Sequence, residues 1–488
     1  MMKYVSTRGF GAVEAGEAVM QGLAPDGGLF VPAEWPEFDW RGALSEDALE
    51  TEAKLLEALM PGCTDAETVH RAYAGKFEGG ELSPLVKAGK DWAMELYHGP
   101  TSAFKDVALT LLPHLMSRVR ENAGEKRVNI LTATSGDTGK AALEGFHDVE
   151  GTGILVFYPH GGVSEVQRLQ MVTQEGGNVC VCAVRGNFDD CQRGVKQAFS
   201  ALSGALPEGV SLSSANSINI GRLVPQITYY FSAYAQLCAR GVISVGDEVN
   251  FTVPTGNFGD ILAGWYAKKL GLPVGMLICA SNANDVLCDF FHSGTYDRRR
   301  PFLRTTSPSM DILVSSNLER LLYEISGRDA DWLRGSMEKL ESEGVYELTE
   351  EMHAALLSEF AAYRADDEEA AAAIARLWKE ERYLCDTHTA VAFDCAEKYR
   401  RESGDQREMV VLSTASPYKF PAAVLAALGE EEQGDDFAKM ARLHELTGVD
   451  VPPMLASLRE RPQLHHSVID VAEIGDFVKK WIEEGAVC

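Results

Sequence analysis

The chain has 488 residues, 45% of them apolar and 24% charged, which excludes extensive disorder and is too long for one simple core. Asp and Glu outnumber Lys and Arg by 72 to 45, and the resulting formal charge of −27 argues against nucleic acid or anionic membrane as a partner. The same field repels a phosphorylated small molecule, so any phosphate site must be local, made of backbone amides and a few cations.

Residues 1–95 show no regular strand–helix alternation and are expected to form a separate N-terminal domain. The opening Met1-Met2-Lys3-Tyr4-Val5 has no signal-type apolar region, and no run of about 18 apolar residues follows, so a soluble cytoplasmic protein is expected. Ten cysteines are scattered without CxxC pairs or Cys/His clusters of zinc spacing, so no metal is expected. From Arg127 to about Cys288, short β-branched runs alternate with amphipathic stretches. Strands are predicted at Val128–Thr132, Gly153–Tyr158, Val179–Val184, Glu248–Val253 and Met276–Ala280, with helices at Lys140–Phe146, Val163–Thr173, Asp189–Leu202 and Asp260–Leu270. This order predicts an α/β fold of doubly wound parallel sheets, with ligands beyond the carboxyl ends of the strands. Residues 325–383, rich in Glu, Ala and Arg, read as a solvated helical insertion. A last strand, Glu408–Leu412, ends in Ser413-Thr414-Ala415, and helices run on to the C-terminus.

Four segments carry candidate chemistry. In His98-Gly99-Pro100-Thr101-Ser102-Ala103-Phe104-Lys105-Asp106, a turn leads to a lysine in apolar surroundings. An amine attacks an aldehyde only when neutral, and burial favours that form; taken alone, however, such a lysine is usually a surface group. Thr132-Ala133-Thr134-Ser135-Gly136-Asp137-Thr138-Gly139-Lys140 lies between a strand and a helix, where amides converge on an anion, although Asp137 alone reads equally as a helix cap. It is not a Walker A loop, which needs four residues between its glycines. Pro254-Thr255-Gly256-Asn257-Phe258-Gly259-Asp260 repeats the strand–turn–helix setting, with glycines that let backbone approach a phosphate. Thr414 places a hydroxyl at the end of the last strand.

Together and in this order, the four segments resemble the fold-type II pyridoxal-phosphate (PLP) enzymes, whose fold is tryptophan synthase β-like. Within them the chain is similar to the threonine synthase family. Tyr97 to Asp106 looks like that family's lysine motif and Thr134 to Gly139 like its substrate loop. Tyr158-Pro159, Gly162 to Gln167, Pro254 to Gly259 and Ser413 to Ala415 also match, as do Tyr4 to Gly9 and Pro25 to Phe30 at the start. The likeness is close over 1–320 and 383–430. It implies a larger PLP-binding half (96–125 and 245–430), a smaller mobile substrate half (126–244) and a C-terminal helical segment (431–488).

The resemblance further implies roles. Lys105 is the lysine that bonds the cofactor aldehyde and later moves protons, with Phe104 beside it. The amides of Gly256, Asn257, Phe258 and Gly259 hold the cofactor phosphate, Asp137 stands near its 3′-oxygen, and Thr414 faces the ring nitrogen. Ser135, Thr138, Ser217, Asn219 and Arg222 are the set for a second, substrate phosphate. Relatives often carry His-Pro-Ala-Lys-Phe where this chain has Ser416-Pro417-Tyr418-Lys419-Phe420, which removes the basis for a catalytic group at 416. The implied reaction is γ-elimination of phosphate from O-phospho-L-homoserine followed by β-addition of water, giving L-threonine, in a monomer. Two alternatives stay open: a PLP-dependent phospho-lyase that releases 2-oxobutyrate, and a non-catalytic amino-acid-binding protein that retains the fold.

Overall fold

The computed structural model describes every residue except 1, 45–46, 135, 203–205, 432 and 485–488. Strands β1 (Lys3–Ser6), β2 (Val13–Glu14) and β3 (Phe30–Pro32) form an antiparallel sheet in the order β2-β1-β3. They are followed by the hairpin β4 (Leu85–Ala88) and β5 (Asp91–Glu95). Next come β6 (Arg127–Ala133), β7 (Thr152–Pro159), β8 (Val179–Arg185) and β9 (Val210–Ser213). The second half carries β10 (Val249–Pro254), β11 (Val274–Ser281), the antiparallel pair β12 (Thr295–Asp297) and β13 (Val345–Glu347), and β14 (Phe360–Arg364). The last are β15 (Met409–Ser413) and β16 (Ser467–Asp470).

Two sheets dominate. The larger has six strands in the order β14-β11-β10-β15-β5-β4, parallel except for the edge pair β4–β5. The smaller is fully parallel, in the order β16-β8-β7-β6-β9. Every residue of β7 (Thr-Gly-Ile-Leu-Val-Phe-Tyr-Pro) is buried, as a strand covered by helices on both faces requires. All six strands expected from the sequence are present, each within two residues of its predicted ends.

Two boundaries need correction. Strands β4 and β5 lie within the stretch expected to be a separate N-terminal domain, yet β5 pairs with β15 in the larger sheet. Likewise β16, from the C-terminal segment expected to be helical, adds to β8 at the edge of the smaller sheet. Four- or five-residue strands bounded by turns carry too little periodicity to say which sheet they will join. The 325–383 stretch is largely helical, and it also supplies β14, which pairs with β11. No helix among the described residues is long and apolar enough to cross a membrane.

Candidate active site

The site lies where the turns after β6, β10 and β15 meet the start of the helix Lys105–Ala123, in the crevice between the sheets. Backbone stitching fixes the lysine end: Phe104 N–H donates to the carbonyl of Thr414 (2.9 Å), Ser416 N–H to that of Ser102 (3.1 Å), and Ala103 bridges Ala415. Segment 101–105 is thus tied to the residues just beyond β15, which sets Lys105 beside Thr414. Asp106 closes the turn from the other side, accepting from the Thr101 amide (2.8 Å) and hydroxyl (2.5 Å). Gly99 is required there, because a Cβ would lie 2.6 Å from that of Asp106. Ser102, although not glycine, is held at φ 57°.

The Lys105 amine sits 3.9 Å from an Asp137 carboxylate oxygen and 4.8 Å from the centre of the Phe104 ring. Burial pushes it below the ordinary lysine range; Asp137 pulls it back up, while Lys419 and Arg222 push it down. Asp137 opens the helix Asp137–Phe146. Its other oxygen lies 2.7 Å from the ammonium of Lys419, a buried side chain that also donates to the carbonyl of Thr101 (2.9 Å). Burial alone would raise the Asp137 carboxyl, but Lys419, then Lys105, outweigh it and hold the group well below the usual carboxylate range. His388 also bears on Asp137. It is buried, its Nδ1 donates to Asp386 (2.6 Å), and its Nε2 accepts from the amide of Ser309 (3.1 Å).

The turn after β10 presents its amides. The carbonyl of Gly256 accepts from Ser315 Oγ (2.7 Å), and that of Asn257 from the amide (3.0 Å) and side chain (2.9 Å) of Asn317. With the carbonyls turned that way, none of the four amides of residues 256–259 is engaged by another described residue. Phe258 takes φ 62° to make the reversal, and its ring anchors the turn against Phe291 and Phe360. A Cβ at Gly256 would lie 2.6 Å from the carbonyl oxygen of Ser309, so backbone passes close on this side. The helix Gly259–Lys269 follows, with its positive dipole end at the turn. Free amides at a helix start are a donor set that fits a phosphate group.

Arg222 makes a different kind of donor. It is buried, one terminal nitrogen donates to the Ala215 carbonyl (3.0 Å), and its Nε has no partner. No carboxylate offsets its desolvation, and burial pushes it down to about 10. Its charge is nonetheless felt at Lys105. A buried guanidinium with unused donors and no acid is a site for an incoming oxyanion.

The other expected residues fall less uniformly. Thr138, in the first turn after Asp137, and Ser217, in the loop before Arg222, are half-buried, and no bond occupies either hydroxyl. The hydroxyl of Thr414 is likewise unengaged, although its amide donates to Thr389 Oγ1 (3.3 Å). Ser135 lies outside the described residues. Asn219 departs from the expectation of direct phosphate contact: its oxygen caps Gly221 N–H (2.9 Å) and its amide donates to the carbonyls of Val19 (2.9 Å) and Ser214 (3.1 Å). Fully buried and so bonded, it holds the loop that carries Arg222.

Sequence reading missed three features of the site, a lysine, an Asp–His pair and a buried acid. Lys419 was legible only as part of a departure from a family pattern. Asp386 and His388 were signalled by an acidic cap before an apolar helical run, which looks like ordinary capping. Asp260 is the third: buried in the first turn of its helix, it accepts from the Tyr229 hydroxyl, and burial pushes it up to about 7.

The "Pyridoxal-phosphate dependent enzyme" family model matches residues 81–415, "Threonine synthase N terminus" 3–49, and "Threonine synthase, C-terminal" 389–478. The chain is 41% identical over 433 residues to a threonine synthase of Pseudomonas aeruginosa, covering 87% of this chain and 90% of that one. It is 38% identical to the Homo sapiens protein threonine synthase-like 1, covering 91% of this chain but spanning only 62% of that relative's length. Among solved structures, PLP-bound threonine synthase from Brucella melitensis superposes with a TM-score of 0.88 at 40% identity, covering 100% of both chains. Yeast threonine synthase gives a TM-score of 0.88 at 31% identity and 99% coverage of each.

Proposed function

The chain belongs to the threonine synthase family of pyridoxal-phosphate-dependent enzymes, and from that premise we propose that it converts O-phospho-L-homoserine and water to L-threonine and phosphate. The observation that carries the reading is the pairing of two unlike anion sites around one buried amine. The unengaged amides of 256–259 adjoin Asp260, which feels the charge of Lys105, and the acid-free guanidinium of Arg222 is felt at Lys105 as well. A single phosphate would need only one of them.

The residues present fit PLP. The amides of Gly256, Asn257, Phe258 and Gly259 would hold its phosphate, Lys105 its aldehyde carbon, and the free hydroxyl of Thr414 its ring nitrogen, with Phe104 and Asp137 alongside. When bound, PLP supplies an electron sink that stabilises negative charge developing beside the substrate amine.

The protein's own groups do the rest. Lys105 Nζ, kept short of full basicity by burial, takes the proton from the substrate α-carbon and then one from the β-carbon, so that the γ-carbon–phosphate bond can break, and returns protons to the γ- and α-carbons. Arg222, with the hydroxyls of Thr138, Ser217 and Ser135, binds the substrate phosphate, orients its bond to the γ-carbon, and neutralises charge as that bond breaks. Asn219 keeps Arg222 in place through the cap it forms on the Arg222 loop. Retaining the departed phosphate on Arg222 keeps the pocket closed to stray water until one molecule adds at the β-carbon. The likeness to the family, rather than any observed contact, is what supports a monomer as the working unit.

Incubating the protein with O-phospho-L-homoserine and identifying the product tests the reading. Threonine is the expected product; 2-oxobutyrate would instead identify a phospho-lyase, and no turnover by a coloured protein would favour the non-catalytic alternative. In Arg222→Ala the loss of charge-assisted bonds worth about 2 kcal/mol should raise KM roughly thirtyfold. An unchanged KM would overturn the second-phosphate assignment.

A further inference from the structure

Two ammonium groups compete for one carboxylate in this site, and the competition has a winner. Lys419 Nζ takes one Asp137 oxygen at 2.7 Å, while Lys105 Nζ stands 3.9 Å from the other, beyond hydrogen-bond reach. Lys419 is fixed for this: it follows Ser416, which caps the turn Pro417–Lys419, and its ammonium donates to the carbonyl of Thr101, in the segment that carries Lys105. Its side chain is 1% exposed. A buried ammonium is costly unless compensated, so its location beside the reactive amine calls for a reason.

We propose that Lys419 is a positioning residue of the reaction, a fixed cation that neutralises Asp137 so the carboxylate cannot capture the nitrogen of Lys105. Without it, the nearest partner for Asp137 is Lys105, and a carboxylate within about 4 Å favours the protonated form of an amine or imine by one to three pH units. The lysine would then hold its proton when the chemistry needs it free. With Lys419 present, the pair is neutral overall, and Asp137 can stand beside a cofactor oxygen without adding a net negative charge there. The other groups acting on this cluster do not replace Lys419. Arg222 bears on Lys105, His388 on Asp137, and Asp106 on Lys105 while itself feeling Lys419; Asp260 feels Lys105. Of these, Arg222 is reserved for an incoming anion, and His388 is already paired with Asp386.

This inference rests on PLP being bound at Lys105, and the experiment separates the two claims. In the holoenzyme, the midpoint at which the visible cofactor band titrates with pH is measured for wild type, Lys419→Met, Asp137→Asn and the double variant. A wild-type protein that stays colourless with added PLP refutes the cofactor reading itself. Given a band, Lys419→Met should raise its midpoint by about one unit or more, and Lys419→Arg should leave it near wild type. Asp137→Asn, leaving the Lys419 cation unopposed, should lower it. The double variant removes both charges and should return the midpoint, and much of kcat, toward wild type. A merely structural lysine predicts the opposite for the double variant, a loss at least as large as the single. A midpoint unmoved in Lys419→Met, or a double variant no closer to wild type, overturns the proposal. Should Lys419→Met not fold, Lys419→Gln takes its place in the same measurement, with the same upward shift expected and an unmoved midpoint overturning the proposal.

Discussion

The turn at 256–259 and the loop that carries Arg222 meet the same problem, an anion in an acidic protein, with different physics. The turn uses neutral dipoles whose direction is fixed by backbone geometry, with Phe258 held at φ 62° to aim them. The loop carries one full charge into a dry place, and burial drives that charge down to about 10 for want of an acid. On the proposed function the difference is economical: the cofactor phosphate stays from turnover to turnover, whereas the substrate phosphate must arrive and then leave. A permanent guest suits a rigid cradle. A transient one suits a single strong donor whose desolvation is offset only while the anion is present.

The comparison can be broken most sharply at Gly256. A methyl group there meets the backbone carbonyl of Ser309 at 2.6 Å, which cannot yield without moving the 308–310 turn. Gly256→Ala should weaken PLP binding at least about tenfold, roughly 1.4 kcal/mol, read by titrating the visible band. Arg222→Ala should bind PLP as wild type does. Equal loss of colour in both would mean that the two regions form a single anion site.

A smaller effect tests the cost side. Replacing the uncompensated guanidinium by an apolar chain, Arg222→Met, should stabilise the ligand-free protein by about 1–3 kcal/mol, as such replacements of buried charge often do. The same change should abolish the thermal stabilisation that added inorganic phosphate gives the wild type. Thermal scans with and without phosphate check both. A variant less stable than wild type, yet still protected by phosphate, would show that Arg222 is a packing residue.

The two regions also differ in how far the sequence revealed them. The turn was legible because its chemistry is local: an apolar strand, two closely spaced glycines, then a helix, all within a dozen residues. Lys105 and Thr414 were placed by motif, yet nothing local says that the segments 101–105 and 413–416 are stitched together by hydrogen bonds. Arg222 was found only through family likeness, since a polar loop before an apolar helix is commonplace. Lys419, Asp386 and His388 were overlooked because their meaning depends on partners 79 or more residues away, Asp137 and Thr101 for the lysine and Ser309 for the amide bond to the histidine. Asn219 misled for the complementary reason: an amide in a polar loop looks like a ligand until its bonds to Val19 and Ser214 are seen. Edge strands β14 and β16 were invisible because a short half-exposed strand and a helical stretch have similar composition.

The smallest effect on chemistry is expected at a polar group without partners that lies away from both regions. Glu52, on the helix Ala48–Leu59, is fully buried against the helix Ile227–Ala239, and neither carboxyl oxygen has a hydrogen-bond partner. Burial pushes it up to about 8. In the unfolded chain it would titrate near an ordinary glutamate, so between roughly pH 4.5 and 8 the folded state binds a proton that the unfolded state has lost. Its contribution to stability is therefore complete below the unfolded value and is lost as pH rises through 8. Asp260 at about 7 and Asp106 at about 6 act in the same direction, so the wild type should lose stability over this range through several groups. Glu52→Gln keeps the shape and removes one titration, and it should flatten the decline by a fraction of the about 1.4 kcal/mol per pH unit that one group can contribute. Neither the visible band nor the KM should change. An identical pH slope in the variant would show that Glu52 ionises normally, whereas a changed KM would tie this helix pair to the site and would mean that partnerless polar groups here serve binding even at a distance from Lys105.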